Sequence, residues 1–324
     1  MNILYTANDL YAPQLASSMC SVLYNNRSEE ELDIYVFSTG LTEKSAESLQ
    51  ILCASYGRRL TVIDLTDISG RLGTGNKAFS RKFNASIFGR FFIDELLPKN
   101  IDKILYLDCD TTVTGPLKEL YDVLPDRNYV IAAAMEPTIY KETREMLGMK
   151  PEDPYYNSGV LLIDMNMWRA EDGDKKLLDY YRSIEEASVF ADQDAINGFL
   201  SGRIKTISPK YNFVTNYAYF RYSTLIKMAP WYKAVSEEEF KESVSSPVII
   251  HYAGDERPGI RGNFNPYRGQ YHRYLNMTEW KDTPETAGRE GFMFMYHMMN
   301  ETTRVCPPAR RAASALYARK LFKK

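Results

Sequence analysis

KILYLDCDTTV, residues 103–113, is the stretch that decides the fold. Ile104, Leu105 and Leu107 run straight into Asp108-Cys109-Asp110. An apolar run of this kind reads as a strand buried on both faces of an α/β sheet. Its carboxylates then fall at the C-terminal end of the strand, where open α/β sheets place their ligands. In extended chain, residues i and i+2 point the same way, so Asp108 and Asp110 are expected to converge. Two close carboxylates repel each other unless a cation or a shared proton lies between them. A hard divalent cation is the natural occupant, and such a cation holds phosphates.

Outward from this strand, apolar runs alternate with helical ones. NILYTA (2–7), IYVFS (34–38), LTVIDL (60–65), VIAAAM (130–135), GVLLIDM (159–165), IKTIS (204–208) and VIIHYA (248–253) are the other strand candidates. Helical patterns cover residues 13–24, 42–56 and 84–97, and SGRLGTGNK (69–77) reads as a flexible loop. This is the βαβ rhythm of a mostly parallel sheet covered by helices. From about residue 265 the chain turns aromatic and Met-rich, then basic. We therefore expect a catalytic domain over 1–265 and a helical C-terminal region over 266–324.

Composition excludes several classes. Apolar residues make up 44% and charged residues 25% of the 324, as in ordinary soluble domains. A net charge of −2 is no match for nucleic acid. The N-terminus MNILYTAN lacks a basic segment followed by an apolar one, and no stretch reaches the roughly 18 apolar residues of a membrane span. Cys20, Cys53, Cys109 and Cys306 have no CxxC spacing, which suits reduced thiols. The expectation is a cytoplasmic protein. The end of the chain, PPARRAASALYARKLFKK (307–324), carries Arg310, Arg311, Arg319, Lys320, Lys323 and Lys324 and no acid. A basic amphipathic helix there would give peripheral contact with an anionic membrane.

Three further groups carry chemistry. In HYAGDERPG (251–259), His251 follows an apolar run, Gly254 allows close backbone approach and Arg257 adds a cation, which together make a diphosphate clamp. In YYNSGVLLID (155–164), Asn157 and Ser158 precede a buried strand, and an amide there suits sugar hydroxyls. In FADQDAINGF (190–199), Asp192, Gln193 and Asp194 open a helix. Capping uses one of them and leaves polar groups to spare. A rival reading takes LYLDCDTT as the nucleophile motif of haloacid-dehalogenase phosphatases, with Asp108 attacking. That motif lies late in this chain, and the downstream GDERPG lacks the second Asp of the partner motif. A sugar-nucleotide binder without turnover is the other alternative.

In order, TANDLYA (6–12), the Arg90 helix, LYLDCD (105–110), YYNSGVLLID (155–164), DQDAIN (192–197), YNFVTNYA (211–218) and HYAGDERP (251–258) resemble family 8 of the retaining glycosyltransferases, most of all bacterial lipopolysaccharide α-galactosyl- and α-glucosyltransferases. The resemblance covers roughly residues 2–275. It implies a GT-A (nucleotide-diphospho-sugar transferase, Rossmann-like) fold, UDP-glucose or UDP-galactose as donor, a glycan or glycolipid acceptor, and Mn²⁺ or Mg²⁺ as cofactor. By position, Asp108, Asp110 and His251 match the metal ligands, and Asp108 and Cys109 lie against the nucleotide. Ala7, Asn8, Asp9 and Tyr11 match the uridine pocket, Gly254 and Arg257 the diphosphate contacts, and Arg90, Asn157, Asp192 and Gln193 the donor-sugar pocket. Arg257 stands where the family often has Lys, which keeps the charge and adds a bidentate fork. Gly259 stands where lipopolysaccharide members carry a bulky aromatic, so acceptor contacts differ.

Overall fold

The computed structural model describes residues 1–72, 85–123, 128–308, 310 and 312. Ten strands are named in chain order: β1 Asn2–Ala7, β2 Asp33–Ser38, β3 Arg59–Asp64, β4 Lys103–Leu107, β5 Thr111–Val113, β6 Ile131–Ala134, β7 Val160–Asp164, β8 Ile204–Ile207, β9 Phe213–Val214 and β10 Ile249–His251. Among the described residues, the α-helices of eight residues or more are α1 Ala12–Asn25, α2 Glu43–Ser55, α3 Gly173–Ile184, α4 Asp192–Phe199, α5 Glu237–Ser245, α6 Arg268–Leu275 and α7 Glu290–Val305.

Seven strands form one sheet in the order β3-β2-β1-β4-β7-β6-β8. All its pairings are parallel except those of β7, which runs against both β4 and β6. The mostly parallel sheet expected from the sequence is therefore present. Alternation along the strands feeds two cores. In β4, Ile104 and Tyr106 enter one apolar cluster, while Leu105 and Leu107 enter the other. The first face is covered by Phe88, Phe91, Leu177, Tyr181, Ala195 and Ile196, and the second by Leu15, Met19, Leu49 and Leu52. Both faces of the central strands are dry, which is why these strands read as continuous apolar runs rather than as alternating ones.

Local chemistry explains the covering helices. Pro13 opens the first turn of α1, where its missing N–H costs nothing, and Leu15, Met19 and Leu23 repeat every four residues on its buried face. Thr42 caps α2 by accepting from the Ser45 N–H at 3.2 Å. The segment expected as one helix over 84–97 is instead a 3-10 helix, Ala85–Phe92, followed by one short turn, Ile93–Leu96. Three residues per turn line up Phe88 and Phe91 against Tyr181 and hold Arg90 inward. Of the loop expected over 69–77, residues 69–72 belong to a helix, Ile68–Leu72, and 73–77 lie outside the described residues.

A second, three-stranded sheet has the order β5-β10-β9. β10 is antiparallel to β5, pairing His251 with Thr111, and parallel to β9, pairing His251 with Val214. This sheet carries His251 to the end of β4. The expectation was a strand that ends in extended chain through Asp108 and Asp110. In the structure the chain leaves the large sheet after Leu107, turns through 108–110 and enters the small one at Thr111.

The segments after residue 265 pack onto the same body. The Ser17 hydroxyl in α1 donates to the Tyr271 carbonyl in α6 at 2.9 Å, and the Tyr24 and Tyr274 rings meet edge-on at 5.9 Å. α7 ties down the loop after β10: Asn300 Nδ2 donates to the buried Glu256 at 3.0 Å, and His297 stacks on Phe264 at 4.4 Å. None of the described helices is long and apolar enough to cross a membrane. Of the basic tail, residues 309, 311 and 313–324 lie outside the described residues.

The 3-10 helix sits so close to β1 that a Cβ at Gly89 would lie 2.5 Å from both Oγ1 and Cγ2 of the buried Thr6. Gly89→Ala is expected to destabilise the fold by about 1–3 kcal/mol through overpacking. A shifted midpoint in chemical denaturation measures it, and an unchanged midpoint would contradict this account of how the helix is seated.

Candidate active site

At the C-terminal end of β4, a tight turn presents Asp108 and Asp110. The Thr111 hydroxyl closes it by donating to the Asp108 carbonyl at 2.8 Å, and the Asp108 N–H donates to the Gly159 carbonyl at 2.8 Å. Strand alternation was the expected cause of convergence. The actual cause is this turn, with the second sheet supplying the third member. Ligand atoms of Asp108, Asp110 and His251 all lie within 4.8 Å of one another. His251 Nε2 is 3.4 Å from Asp110 Oδ1 and 3.8 Å from Asp108 Oδ2. Two carboxylates and an imidazole form a donor set suited to Mn²⁺ or Mg²⁺. The fit is further seen at Gly159, where a Cβ would lie 2.2 Å from the His251 ring and 2.9 Å from Asp108 Oδ2. The cluster closes only because residue 159 has no side chain.

Two guanidiniums flank the cluster. Arg90 is 3% exposed; its Nη2 donates to Asp108 Oδ1 and to the Tyr106 hydroxyl, each at 2.8 Å, and its Nη1 donates to the Ser158 carbonyl at 2.9 Å and pairs with Asp192 Oδ2 at 2.6 Å. Arg257 Nε lies 3.6 Å from Asp110 Oδ2 and donates to the Gly254 carbonyl at 3.0 Å. Burial pushes Asp110 upward, yet Arg257 and His251 overcome it and hold the carboxyl below its ordinary range. The Asp110 charge in turn raises Arg257. Burial pushes Asp192 up to about 6, with Asp108 adding to the push and Arg90 opposing it. Desolvation by itself would lower His251, but the hydrogen bond and charge of Asp110 raise it. With His251 neutral, three carboxylates face two guanidiniums, a net charge of −1 that a divalent cation reverses.

Around this cluster opens a cleft of about 590 Å³, counting its mouth. Tyr11, Arg90, Asp108, Cys109, Asp110, Asp192 and Arg257 line it, all expected from the sequence. Ser158, named beside Asn157 in the sequence, also lines it, as do Thr6, Ser86, Ile87 and Tyr106, which were not expected. Tyr106 had a signal, since it lies two residues before Asp108 on the same strand; its hydroxyl donates to Asp108 Oδ1 at 2.9 Å. The Cys109 thiol points back to the Thr6 carbonyl at 3.3 Å.

The other expected residues fall around the cleft. Ala7 is buried at the end of β1. Asp9 Oδ1 accepts from the Thr42 N–H and hydroxyl, each at 2.9 Å, and the first of these bonds leads in lowering its pKa. Asn8 begins the turn to Tyr11, whose N–H reaches the Asn8 carbonyl at 3.0 Å. Gly254 abuts Asn216 Nδ2. Gln193 is held at both ends: its carbonyl accepts from the Ser158 N–H at 3.0 Å and its amino group donates to the Tyr155 hydroxyl at 3.3 Å. Asn157 lies behind the cleft wall, bonded to Gly159, Asn212 and Glu136. Asp194, the third polar residue of DQD, is fully buried and accepts from Tyr155, Ser188, Val189 and Phe190, so it secures the loop before α4.

Comparison with known proteins bears on this geometry. The sequence model of Glycosyl transferase family 8 matches residues 2–258. General stress protein A of Bacillus subtilis is 25% identical over 86% of this chain and 94% of its own length. Lipopolysaccharide 1,3-galactosyltransferase of Salmonella typhimurium is 26% identical over 79% of this chain and 72% of its own length. The crystal structure of the galactosyltransferase LgtC with donor and acceptor sugar analogs superposes with a TM-score of 0.70 at 21% identity, covering 90% of this chain and 98% of that one. The fold is therefore GT-A.

Gly159→Ala is expected to weaken Mn²⁺ binding about 10- to 100-fold by pushing His251 and Asp108 apart. Titration calorimetry without any nucleotide reads this directly; wild-type affinity in the variant would show that the cluster tolerates a side chain there.

Proposed function

This chain belongs to glycosyl transferase family 8, and from that premise we propose that it moves glucose or galactose from a UDP-sugar to a hydroxyl of a glycan acceptor, with retention at the anomeric carbon. The observation that carries the reading is the meeting of Asp108, Asp110 and His251 in a cleft flanked by two guanidiniums. When bound, Mn²⁺ or Mg²⁺ supplies positive charge for the departing diphosphate. Arg257, the more exposed guanidinium, reaches the diphosphate from the mouth. Tyr11 offers its ring to the uracil, with Ala7, Asn8 and Asp9 as backbone and carboxylate partners. Arg90, Asp192 and Gln193 form the donor-sugar wall. A sugar contact from Asn157 would require its amide to leave one of the bonds behind that wall.

Among the described residues of the cleft, neither Gln193 nor Asp192 is suited to act as a covalent nucleophile. Gln193 is an amide held at both ends, and Asp192 is engaged by Arg90 and by the Ser158 hydroxyl at 3.1 Å. Both groups therefore bind and orient, and the acceptor hydroxyl attacks from the face that UDP leaves, its proton passing to the departing diphosphate. A glycosyl adduct trapped on Asp192 or Gln193 would overturn this order of events. The phosphatase alternative finds no support: Asp108 is clamped by Arg90 and Tyr106, and Asp255 of GDERPG pairs with Arg289 at 3.0 Å on the surface. We further propose lipopolysaccharide or another cell-surface glycan as acceptor, supported by the named activity of the Salmonella relative. With it goes a cytoplasmic location, with residues 307–324 giving peripheral contact with an anionic membrane; loss of liposome binding on deleting them is the expected result.

UDP release from UDP-glucose and UDP-galactose, with and without Mn²⁺, tests the main reading. Turnover that ignores metal would reject it, and tight UDP binding with no turnover toward any acceptor would favour the binder. Asp192 must be ionised to pair with Arg90 and Ser158, so activity should fall as pH drops through about 6. This acid limb should not move with Mn²⁺ concentration, whereas a limb due to the metal ligands would.

A further inference from the structure

The hydrogen bonds behind His251 run in one direction only. The Gly159 backbone N–H, which can only donate, reaches Asn157 Oδ1 at 2.9 Å. The other end of that amide is therefore the amino group, and it donates to Glu136 Oε2 at 3.1 Å. The second oxygen of Glu136 accepts from the Thr138 N–H at 3.0 Å, another obligate donor, and from the Tyr217 hydroxyl. Asn212 Nδ2 meets the same Asn157 Oδ1 at 2.9 Å, so Asn212 turns its own carbonyl oxygen to His251 Nδ1, also at 2.9 Å. A carbonyl oxygen only accepts, so Nδ1 carries the proton. Glu136, Asn157, Asn212 and His251 are 8%, 6%, 2% and 4% exposed, and water has little access to reverse any link.

This chain opposes a local force. Nε2 faces Asp110 at 3.4 Å and Asp108 at 3.8 Å, and two carboxylates draw a proton to that nitrogen. A histidine answering to them alone would keep Nε2–H and present no lone pair to a cation. We infer that Glu136, Asn157 and Asn212 are positioning residues: through one polarised hydrogen-bond chain they keep the proton on Nδ1 of His251 and leave Nε2 as its metal-facing atom. The inference rests on the metal-site reading and deepens it.

Two measurements test it. In metal-free protein labelled with ¹⁵N-histidine, at a pH where His251 is neutral, two-bond ¹H–¹⁵N correlations should show the proton on Nδ1. The three histidines are assigned with His272→Gln and His297→Gln variants. A proton on Nε2 overturns the inference with no variant of the chain itself involved. Glu136→Gln then keeps shape but sets an amino group against one of the two donors. It and Asn212→Leu, each checked for folding by circular dichroism, should lose about 10- to 100-fold in Mn²⁺ affinity measured without nucleotide. Glu136→Gln should also mix the His251 tautomers. Wild-type affinity and an unmixed tautomer in folded variants would overturn the inference while leaving the metal site intact. Mn²⁺ binding that survives Asp110→Asn would instead reject the metal site, and the metal-free tautomer would still decide the hydrogen-bond chain.

Discussion

A single buried guanidinium organises the front of this site. Arg90 ties the 3-10 helix to the end of β4 through Asp108 and Tyr106, to the turn before β7 through the Ser158 carbonyl, and to the start of α4 through Asp192. Burying a charge is costly unless it is paired and hydrogen-bonded, and Arg90 meets that condition only when all these segments are in place. The same pairing lets two carboxylates occupy a nearly dry wall. Without it, burial and the Asp108 charge would push the Asp192 carboxyl up further.

Directly behind His251 the polar work is done by neutral amides, anchored by the Glu136 carboxylate. Arg90 and Arg257 set charge at the face that meets a ligand, while Asn157 and Asn212 transmit direction rather than charge. The division has a physical basis. A carboxylate in place of the Asn212 amide would add negative charge and favour the doubly protonated ring, whereas an amide carbonyl gives Nδ1 an acceptor at no cost in net charge. Gly159 lies where the two systems touch: its N–H orients Asn157, its carbonyl holds Asp108, and its missing side chain leaves room for the His251 ring.

The strands of the large sheet were legible because their apolar runs are long and both faces are buried. The ligands at strand ends were legible because carboxylates or histidine directly after such a run have few other uses. Less visible were the pieces whose local sequence says little. Thr111–Val113 was not read as a strand of its own, since nothing in DCDTTV shows that the chain enters a second sheet. Phe213–Val214 is too short for any periodicity, yet it pairs with β10 beside the site. The 3-10 geometry of Ala85–Phe92 escaped because its apolar pattern also suits an α-helix. Glu136 and Asn212 carried no signal, as the bonds that tie them to Asn157 and His251 all span residues distant in the chain.

By itself the sequence determined the α/β class, the strands of the main sheet, and the residues that could bind a cation and a diphosphate, because these follow from runs of neighbouring residues and from the chemistry of single side chains. Only the tertiary structure decided that Asp108 and Asp110 converge through a turn, that a second sheet delivers His251 to them, and that Asn157 faces away from the cleft to orient that histidine. Those outcomes depend on strand pairing and burial between segments far apart in the chain, and no local pattern encodes which polar atom will find its partner there.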